Sequence, residues 1–340
     1  MAKRVTMQNI ADELGVTKVS VSKALNGQPG ISDQLRKKIV HTATRLGYVL
    51  RAGRVEPAAY TFGFVVTKRF FLETDRFYNI IHYHLNKLCM AAGHGQVLIV
   101  INQREEREGV ALDILCKEKL DGLFLAGQIA DSFLDSLMAR AGMPVVALDF
   151  YRDHWPADAV LADNYQLGYL ATLYLIERGH RRIGFVGNVF ATSSIADRFF
   201  GYVKALTKHG LPIREDWNLV NNNSDTGDYT VDLALPRELP TGFVCHCDMA
   251  AYFLKSTLER NGLQVPEDVS LVAFDNTEIG RTTMKSLTTF DIGRREIADT
   301  ALSLMLRRLQ GDTAQIGRHY VHSKLVEGDT VRCIGEPSAP

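Results

Sequence analysis

Side chains able to bind a polyanion are concentrated in the segment ADELGVTKVSVSKALNG, residues 11–27. A helix beginning near residue 18 would place four of them on its outward side: Lys18, Val19, Ser22 and Lys23. Ammonium groups donate hydrogen bonds to the acceptor edge of guanine, hydroxyls donate to phosphate oxygens, and a valine can contact the thymine methyl group. These residue types therefore suit the major groove of a duplex, provided that the segment is helical.

The apolar–polar alternation over residues 19–22 is itself typical of a strand. A strand would leave Ala24 and Leu25 out of phase with Val21, whereas a helix places all three on one face. Thr17 supplies an N-cap, and the flanking residues are good helix formers. The sequence thus predicts a helix.

Two more helices are predicted beside it. Thr6 caps a helix that ends before Gly15, a residue type that favours the left-handed conformation after a helix. Ser32 caps a third helix, with Arg36, Lys37 and Lys38 on its outer face and an inner face of Leu35, Ile39, Ala43 and Leu46. Two helices joined by a tight turn at Gly15 form a helix-turn-helix.

The formal net charge of zero conceals an uneven distribution. Residues 1–54 carry ten Lys/Arg and three Asp/Glu, whereas the rest of the 340 residues carries 29 basic and 36 acidic side chains. A small basic head on an acidic body predicts a polyanionic partner for the head. A lysine-rich tail that is merely solvated is the alternative.

The composition indicates a soluble globular chain with more than one folding unit. The apolar content is 46% and the charged content 23%, and the apolar runs are too short to cross a membrane. The polar amino-terminal residues do not resemble a signal peptide, and the five scattered cysteines suit reduced thiols. We therefore expect a cytoplasmic protein with no membrane partner.

The segments VTMQNIADELGVTKVSVSKALNG and GISDQLRKKIVHTATRLGY, within residues 5–48, resemble the DNA-binding headpiece of the LacI/GalR family. The resemblance implies that Lys18, Val19 and Lys23 take the positions that read bases. It also implies that phosphate contacts and helix caps come from Thr6, Thr17, Ser20, Ser22 and Asn26. Lys23 stands where the family usually has arginine, so bidentate recognition of guanine is weaker and the operator differs.

The resemblance breaks down in the linker, residues 49–59. The family has a leucine that wedges into the minor groove, but Pro57 falls at that position, and Gly53 also opposes a helix. Three alternatives stay open. A short hinge helix uses Val55 or Leu50 as its wedge, Arg51 and Arg54 contact only phosphate, or the linker is a flexible tether.

From residue 60 onward short apolar runs alternate with amphipathic ones. Strands are predicted at 61–66, 97–101, 122–125, 145–148, 159–162, 182–186, 217–220, 242–246 and 269–274. Helices are predicted near 77–92, 106–118, 131–141, 165–178, 197–209 and 248–261. The repeat predicts an α/β fold of two doubly wound parallel-sheet lobes, with a cleft at the carboxyl ends of the strands.

Long stretches of this body, such as DNYQLGYLATLYLIERGHRRIGFVG (163–187), resemble the periplasmic-binding-protein-like sensor domain of the same family. The resemblance implies a headpiece at 1–48 and a sensor domain at 60–334. It implies three crossings between lobes, with one lobe formed by 60–161 and 292–317. The other lobe is 162–291 with 318–334, and residues 335–340 form a tail.

Polar and aromatic residues at the predicted strand ends suit a sugar, which is bound by planar charge-assisted hydrogen bonds and by aromatic stacking. The candidates, at positions where the family places such groups, are Phe77, Tyr78, Asp149, Arg198, Tyr229, Asp248 and Asp275. Each has a structural alternative. Asp149 and Asp275 could be turn formers, Arg198 could pair with Asp197 or Asp225, and the aromatic residues could be core.

The segment FVCHCDMAA (243–251) departs from the family pattern, because Cys247 occupies the position taken as that of a ligand-binding asparagine. Either the ligand lacks a hydroxyl there, or His246 or Asp248 compensates. Strand alternation would send His246 away from Cys245 and Cys247, which disfavours a metal site. No metal or cofactor is expected.

These features predict a DNA-binding transcriptional regulator, a repressor, that acts as a homodimer on double-stranded operator DNA under control of a carbohydrate effector. A sugar-binding transport-type receptor without a DNA role is the alternative. An enzyme is not expected, since no nucleophile–base arrangement, Gly-x-Gly-x-x-Gly fingerprint or P-loop is found.

Overall fold

The computed structural model describes residues 5–25, 30–46, 59–71, 77–109, 112–113, 115, 119–282, 284 and 286–334. The chain divides into two compact units, Met1–Ala58 and Ala59–Pro340. The predicted Asn26 contact and the linker residues Arg51 and Arg54 lie outside the described residues.

The first unit contains three helices: α1 (Met7–Leu14), α2 (Lys18–Leu25) and α3 (Asp33–Arg45). Thr6 caps α1 in a reciprocal capping box with Asn9, and Gly15 follows α1 at φ 63°. The Thr17 Oγ1 accepts the Ser20 N–H at 3.1 Å, which caps α2. The predicted helix-turn-helix is confirmed, and its small core consists of Ile10, Ala11, Val21, Ala24, Ile39 and Ala43.

Arg36 differs from its predicted place on the solvated face of α3. Its Nη1 donates to the Ala24 carbonyl at 3.0 Å and to the Lys23 carbonyl at 3.4 Å. Both carbonyls belong to the last turn of α2, where helix carbonyls have no partner within the helix. A cation there also interacts favourably with the helix dipole. Arg36 therefore connects α3 to the carboxyl end of α2.

One lobe of the second unit is built on a six-stranded sheet ordered β2-β1-β3-β4-β5-β11, in which every pairing is parallel. Its strands are β1 (Thr61–Thr67), β2 (Gly95–Ile101), β3 (Gly122–Ala126), β4 (Val145–Leu148), β5 (Asp158–Ala162) and β11 (Arg318–Val321). Its helices are α4 (Phe77–Ala91), α5 (Gln103–Glu108), α6 (Asp131–Arg140) and α11 (Arg294–Leu309). The central strands are buried throughout, as expected for a parallel sheet covered on both faces.

The other lobe has a second six-stranded sheet, ordered β7-β6-β8-β9-β10-β12, with only β12 antiparallel to its neighbour. Its strands are β6 (Ile183–Val186), β7 (Asn218–Leu219), β8 (Gly242–Cys245), β9 (Ser270–Phe274), β10 (Thr288–Asp291) and β12 (Lys324–Val326). Its helices are α7 (Asn164–Glu177), α8 (Ser193–Lys208), α9 (Asp248–Arg260) and α10 (Glu278–Thr282). The predicted pair of doubly wound lobes is confirmed.

The chain passes between the lobes three times, but the third crossing is displaced from its predicted place. The prediction put residues 318–334 in the second lobe, yet β11 pairs in parallel with β5 of the first lobe. The strand β12 then pairs with β10 of the second lobe. The crossing therefore falls at residues 322–323, because the edge of the first sheet is completed by one more strand.

Two other differences concern helices. The helix expected at 197–209 begins four residues earlier, because the Thr192 hydroxyl accepts the Ile195 N–H and caps it. Of the helix predicted near 106–118, the structure describes α5 and a few residues beyond it. Among the described helices, none combines the length and apolar character needed to cross a membrane.

The Arg36 contacts predict that the Arg36→Met substitution loosens the first unit. Methionine keeps most of the apolar stem but leaves two helix-end carbonyls without their donor, at a cost of about 1–2 kcal/mol. The amides of α2 should then exchange with deuterium about 5–30 times faster in the full chain. The control is Lys37→Met on the exposed side of α3. Equal exchange in both variants would contradict a capping role for Arg36.

Candidate functional site

The helix α2 presents the surface expected for contact with a duplex. Lys18 is exposed, and Val19 is 63% exposed. Ser22 and Lys23 are half-buried on the same helix. Lys18 and Val19 therefore lie outward as predicted, whereas Ser22 and Lys23 are partly covered, and Val19 is the most prominent apolar group of this edge.

The hydroxyl residues of the first unit form caps. The Thr6 Oγ1 donates to Asn9 Oδ1 at 2.7 Å, and the Thr17 and Ser20 hydroxyls lie 2.9 Å apart at the start of α2. Thr6 and Thr17 are exposed and Ser20 is half-buried. Their capping is a structural finding, and their phosphate contacts stay predictions.

A cavity lies between the two lobes of the second unit at the carboxyl ends of their strands. Residues from the first lobe on its wall are Arg69, Phe70, Phe77, Tyr78 and Asp149. Those from the second lobe are Thr192, Ser194, Ile195, Arg198, Asn222, Gly227, Tyr229, His246, Cys247 and Asp275. Six of the seven predicted effector residues thus meet in one place.

Arg198 is the central cation of this cavity and is only 3% exposed. Its Nε donates to Asn164 Oδ1 at 2.8 Å, and its Nη2 lies 3.4 Å from Asp275 Oδ1. Its Nη1 donates to the His246 carbonyl, and its guanidinium lies 4.6 Å from the centre of the Phe274 ring. The pairing of Arg198 with Asp197 or Asp225, considered from the sequence, is replaced by these contacts.

Asp149 is the first lobe's carboxylate in the cavity. It follows β4 at φ 62° and is 6% exposed. Tyr78 donates its hydroxyl to Asp149 Oδ2 at 3.1 Å, whereas Oδ1 is buried without a hydrogen-bond partner among the described residues. Burial raises the pKa of Asp149 to about 6, against the opposing effects of Arg198 and Tyr78.

His246 and Cys247 both line the cavity, contrary to the strand alternation expected of them. The strand β8 ends at Cys245, so the alternation stops there, and the His246 Nε2 and Cys247 Sγ atoms lie 3.6 Å apart. The Cys247 sulfur caps α9 by accepting the Ala250 N–H at 3.4 Å. The rings of His246 and Tyr229 are parallel within 7°, and burial lowers the pKa of His246 to about 3. His246 is therefore neutral near pH 7.

Asp248 does not reach the cavity, so the idea that it compensates for Cys247 is wrong. Its carboxylate is fully buried at the start of α9. Its Oδ2 accepts the Thr277 N–H at 2.5 Å and the Thr277 hydroxyl at 2.8 Å, and its Oδ1 accepts the Thr289 hydroxyl at 2.6 Å. Asp248 thus joins α9 to the segments after β9 and within β10.

Arg69 is a cavity residue that the sequence reasoning missed, although its position just after β1 could have indicated it. Its guanidinium is bound by Glu106 at 2.5 and 3.1 Å and by the Gln128 carbonyl at 2.9 Å. Its own carbonyl faces Gly227, where a Cβ atom would come within 2.1 Å of it. Gly227 is at φ 78°, so glycine is required there on both counts.

The lobes also bond directly to each other beside the cavity. Ser194 donates its hydroxyl to the Asp149 carbonyl at 2.7 Å. The Ser193 N–H donates to Gln128 Oε1 at 3.0 Å, and the Tyr151 hydroxyl donates to Asp197 Oδ1 at 2.9 Å. The first turns of α8 therefore hold the second lobe against loops of the first, in a closed arrangement.

In the part of the chain that the structure describes, no group of three or more His, Cys, Asp or Glu side chains could hold a metal ion.

Comparison with known proteins agrees with the fold of both units. Residues 6–49 match the family described as bacterial regulatory proteins, lacI family, and residues 172–331 match the periplasmic binding protein-like domain. The HTH-type transcriptional repressor PurR of Vibrio cholerae serotype O1 (strain M66-2) is 26% identical over 334 residues, covering 96% of this chain and 98% of its own length.

Two solved structures share the fold. The CelR–cellobiose complex is 22% identical with a TM-score of 0.69, covering 96% of this chain and 100% of that one. The lac repressor dimer bound to operator and the anti-inducer ONPF is 19% identical with a TM-score of 0.66, covering 97% and 100%. With the helix-turn-helix and the paired lobes already described, the two family matches show a helix-turn-helix domain of the lacI family of bacterial regulatory proteins followed by a periplasmic binding protein-like domain, the arrangement of a DNA-binding regulator with an effector domain.

Proposed function

We propose that this regulator is a homodimeric repressor whose affinity for operator DNA is controlled by a sugar-type effector bound between the lobes. The effector assignment rests on one observation. Asp149 from one lobe lines the same cavity as Arg198 and Asp275 from the other. A ligand that bridges these groups is bound only when the lobes are closed, so it shifts the population toward the closed form. A chain that acts on chromosomal DNA in this way works in the cytoplasm.

The operator contact is assigned to α2. Lys18 and Val19 project from its amino-terminal half, and Ser22 and Lys23 continue the same edge. A lysine reads guanine acceptors as a point charge, and a valine side chain fits beside the thymine methyl group. The relative named PurR is a transcriptional repressor, which supports repression as the outcome of binding.

The sugar assignment rests on the mixture of groups around the cavity. Asp149, Asp275 and Arg198 can serve paired hydroxyls, and Phe70, Phe77 and Tyr229 offer aromatic faces. The structurally similar CelR is described in complex with cellobiose, a sugar. The parallel His246 and Tyr229 rings favour a second candidate, a flat heteroaromatic effector such as a nucleobase.

We assign the dimer interface to the edge strand β2. Val97, Leu98 and Val100 on this strand are 43%, 39% and 42% exposed, and Tyr83 and Met90 are exposed on the neighbouring helix α4. An uncovered apolar edge strand tends to be covered by another chain. The lac repressor of similar fold is a dimer in its operator complex.

The DNA assignment predicts that Lys18→Ala weakens binding to a duplex selected from a random library with the unaltered protein. Loss of one base contact should raise the dissociation constant about 5- to 150-fold. The matched control is Lys324→Ala, which removes an exposed lysine of the second lobe, away from the proposed dimer surface. Mobility-shift titration at fixed salt measures both. Equal affinities would refute the assignment of α2, and full regulation by residues 59–340 alone would favour the transport-type receptor.

The effector assignment predicts that a sugar raises the melting temperature of the protein in a thermal-shift screen of mono- and disaccharides, with nucleobases included as the competing class. At a hundredfold excess over the dissociation constant, the stabilisation should be about 2.7 kcal/mol. Arg198→Lys should abolish the shift, because lysine lacks the planar set of donors. Arg182→Lys, at an exposed arginine of the same lobe, should retain it. A response to nucleobases alone would overturn the sugar assignment in favour of the second candidate.

The dimer assignment predicts that Leu98→Glu produces monomers at concentrations where the unaltered protein sediments as a dimer. A carboxylate in the centre of a closed apolar contact stays unpaired and is costly to bury. Ile213→Glu, at a 49% exposed position of the other lobe, is the control. Analytical ultracentrifugation distinguishes the two. A Leu98→Glu dimer of undiminished stability would place the interface elsewhere.

A further inference from the structure

The cavity between the lobes has spare hydrogen-bond acceptors, whereas its strong donors are already occupied. The Tyr78 and Ser194 hydroxyls donate to Asp149, and the Arg69 guanidinium donates to Glu106 and Gln128. In contrast, Asp149 Oδ1 and Asn222 Oδ1 are buried without a partner in the described part of the chain. Buried acceptors without partners are costly, so a bound molecule is required to donate to them.

The charges around the cavity do not cancel. Arg69 is neutralised by Glu106, and Arg198 by Asp275 at 3.4 Å. His246 contributes no charge near pH 7, because burial lowers its pKa to about 3. Asp149 lies in the field of Arg198, but among the described residues its carboxylate makes no salt bridge to any cation, so one negative charge of the cavity stays unbalanced. A hydroxyl could satisfy its hydrogen bond, but only a cation would also balance its charge.

Three aromatic side chains of the cavity wall are connected to this carboxylate through Tyr78. Tyr78, which donates to Asp149, makes edge-to-face contacts with Phe70 at 6.0 Å and with Phe77 at 4.8 Å between ring centres. All three side chains line the cavity. Ring faces attract cations electrostatically, and a carboxylate next to aromatic rings is a favourable environment for an ammonium group.

We propose that the effector carries an ammonium group, which donates to Asp149 Oδ1 beside Phe70, Phe77 and Tyr78, and that it is an amino sugar. This inference rests on the proposed sugar-type function and adds the charge of the ligand to it. One ammonium supplies three donors, enough for Asp149 Oδ1 and a second acceptor such as Asn222 Oδ1. A phosphorylated sugar is excluded by the same charge balance, because it would add negative charge beside Asp149.

The test is isothermal titration calorimetry of the full chain with glucosamine, galactosamine and mannosamine against their parent hexoses. Glucose 6-phosphate and putrescine complete the set as an anion and a non-sugar amine. At least one amino sugar should bind about tenfold more tightly than its parent hexose. Asp149→Asn, which keeps the shape and removes the charge, should reduce that ratio to about one. Asp153→Asn, at an exposed aspartate of the same lobe, should leave it unchanged.

The outcomes distinguish the inferred ammonium group from the proposed sugar effector. Tighter binding of the parent hexoses or of the phosphate would overturn the ammonium inference and leave the sugar effector standing. Binding of putrescine without any sugar would support the ammonium site and overturn the sugar. No binding by any of these molecules would overturn the ammonium inference, and the thermal-shift screen with disaccharides would then decide the sugar effector separately. Without ligand, the Asp149→Asn variant should have a melting temperature no lower than that of the unaltered protein. If its melting temperature is lower, the ratio of amino-sugar to hexose affinity in the unaltered protein alone tests the inference.

Discussion

The buried guanidinium of Arg198 is the interaction on which the effector domain depends most. An arginine cannot lose its charge at ordinary pH, so at 3% exposure it must be surrounded by acceptors. Those acceptors come from the start of α7, from the turn after β8 and from the end of β9. One side chain thereby fixes the spacing of three separate segments at the cleft edge of the second lobe.

The closed arrangement of the lobes follows from short contacts around that centre. Ser194 and Asp197 of α8 bond to the loop after β4, while Gly227 allows the Arg69 carbonyl to approach within van der Waals range. Phe77, Tyr78 and Ile195 also line the cavity, and buried apolar residues of both lobes form one cluster, so opening exposes hydrophobic surface as well. A small difference in free energy between open and closed forms is what a ligand of moderate affinity can shift.

The headpiece is stable for a different reason. Its core of six buried residues is small for an independent unit, and much of its order comes from helix ends. Thr6, Thr17 and Arg36 each satisfy backbone groups that a short helix leaves unpaired. Lys18 and Val19 at the start of α2 take no part in these caps and are exposed.

The sequence by itself determined the headpiece helices, the strands β1–β9 and six of the fifteen residues on the cavity wall, because caps, apolar periodicity and strand ends are local properties. Thr6, Thr17 and Gly15 marked the helix-turn-helix, and Asp149 and Asp275 followed recognisable strands. Only the tertiary structure decided that Asp248 turns inward to Thr277 and Thr289, that β11 joins the first sheet, and that Arg69 reaches the cavity. Those outcomes depend on partners far apart in the chain, and the spacing of residues along a sequence carries no record of such partners.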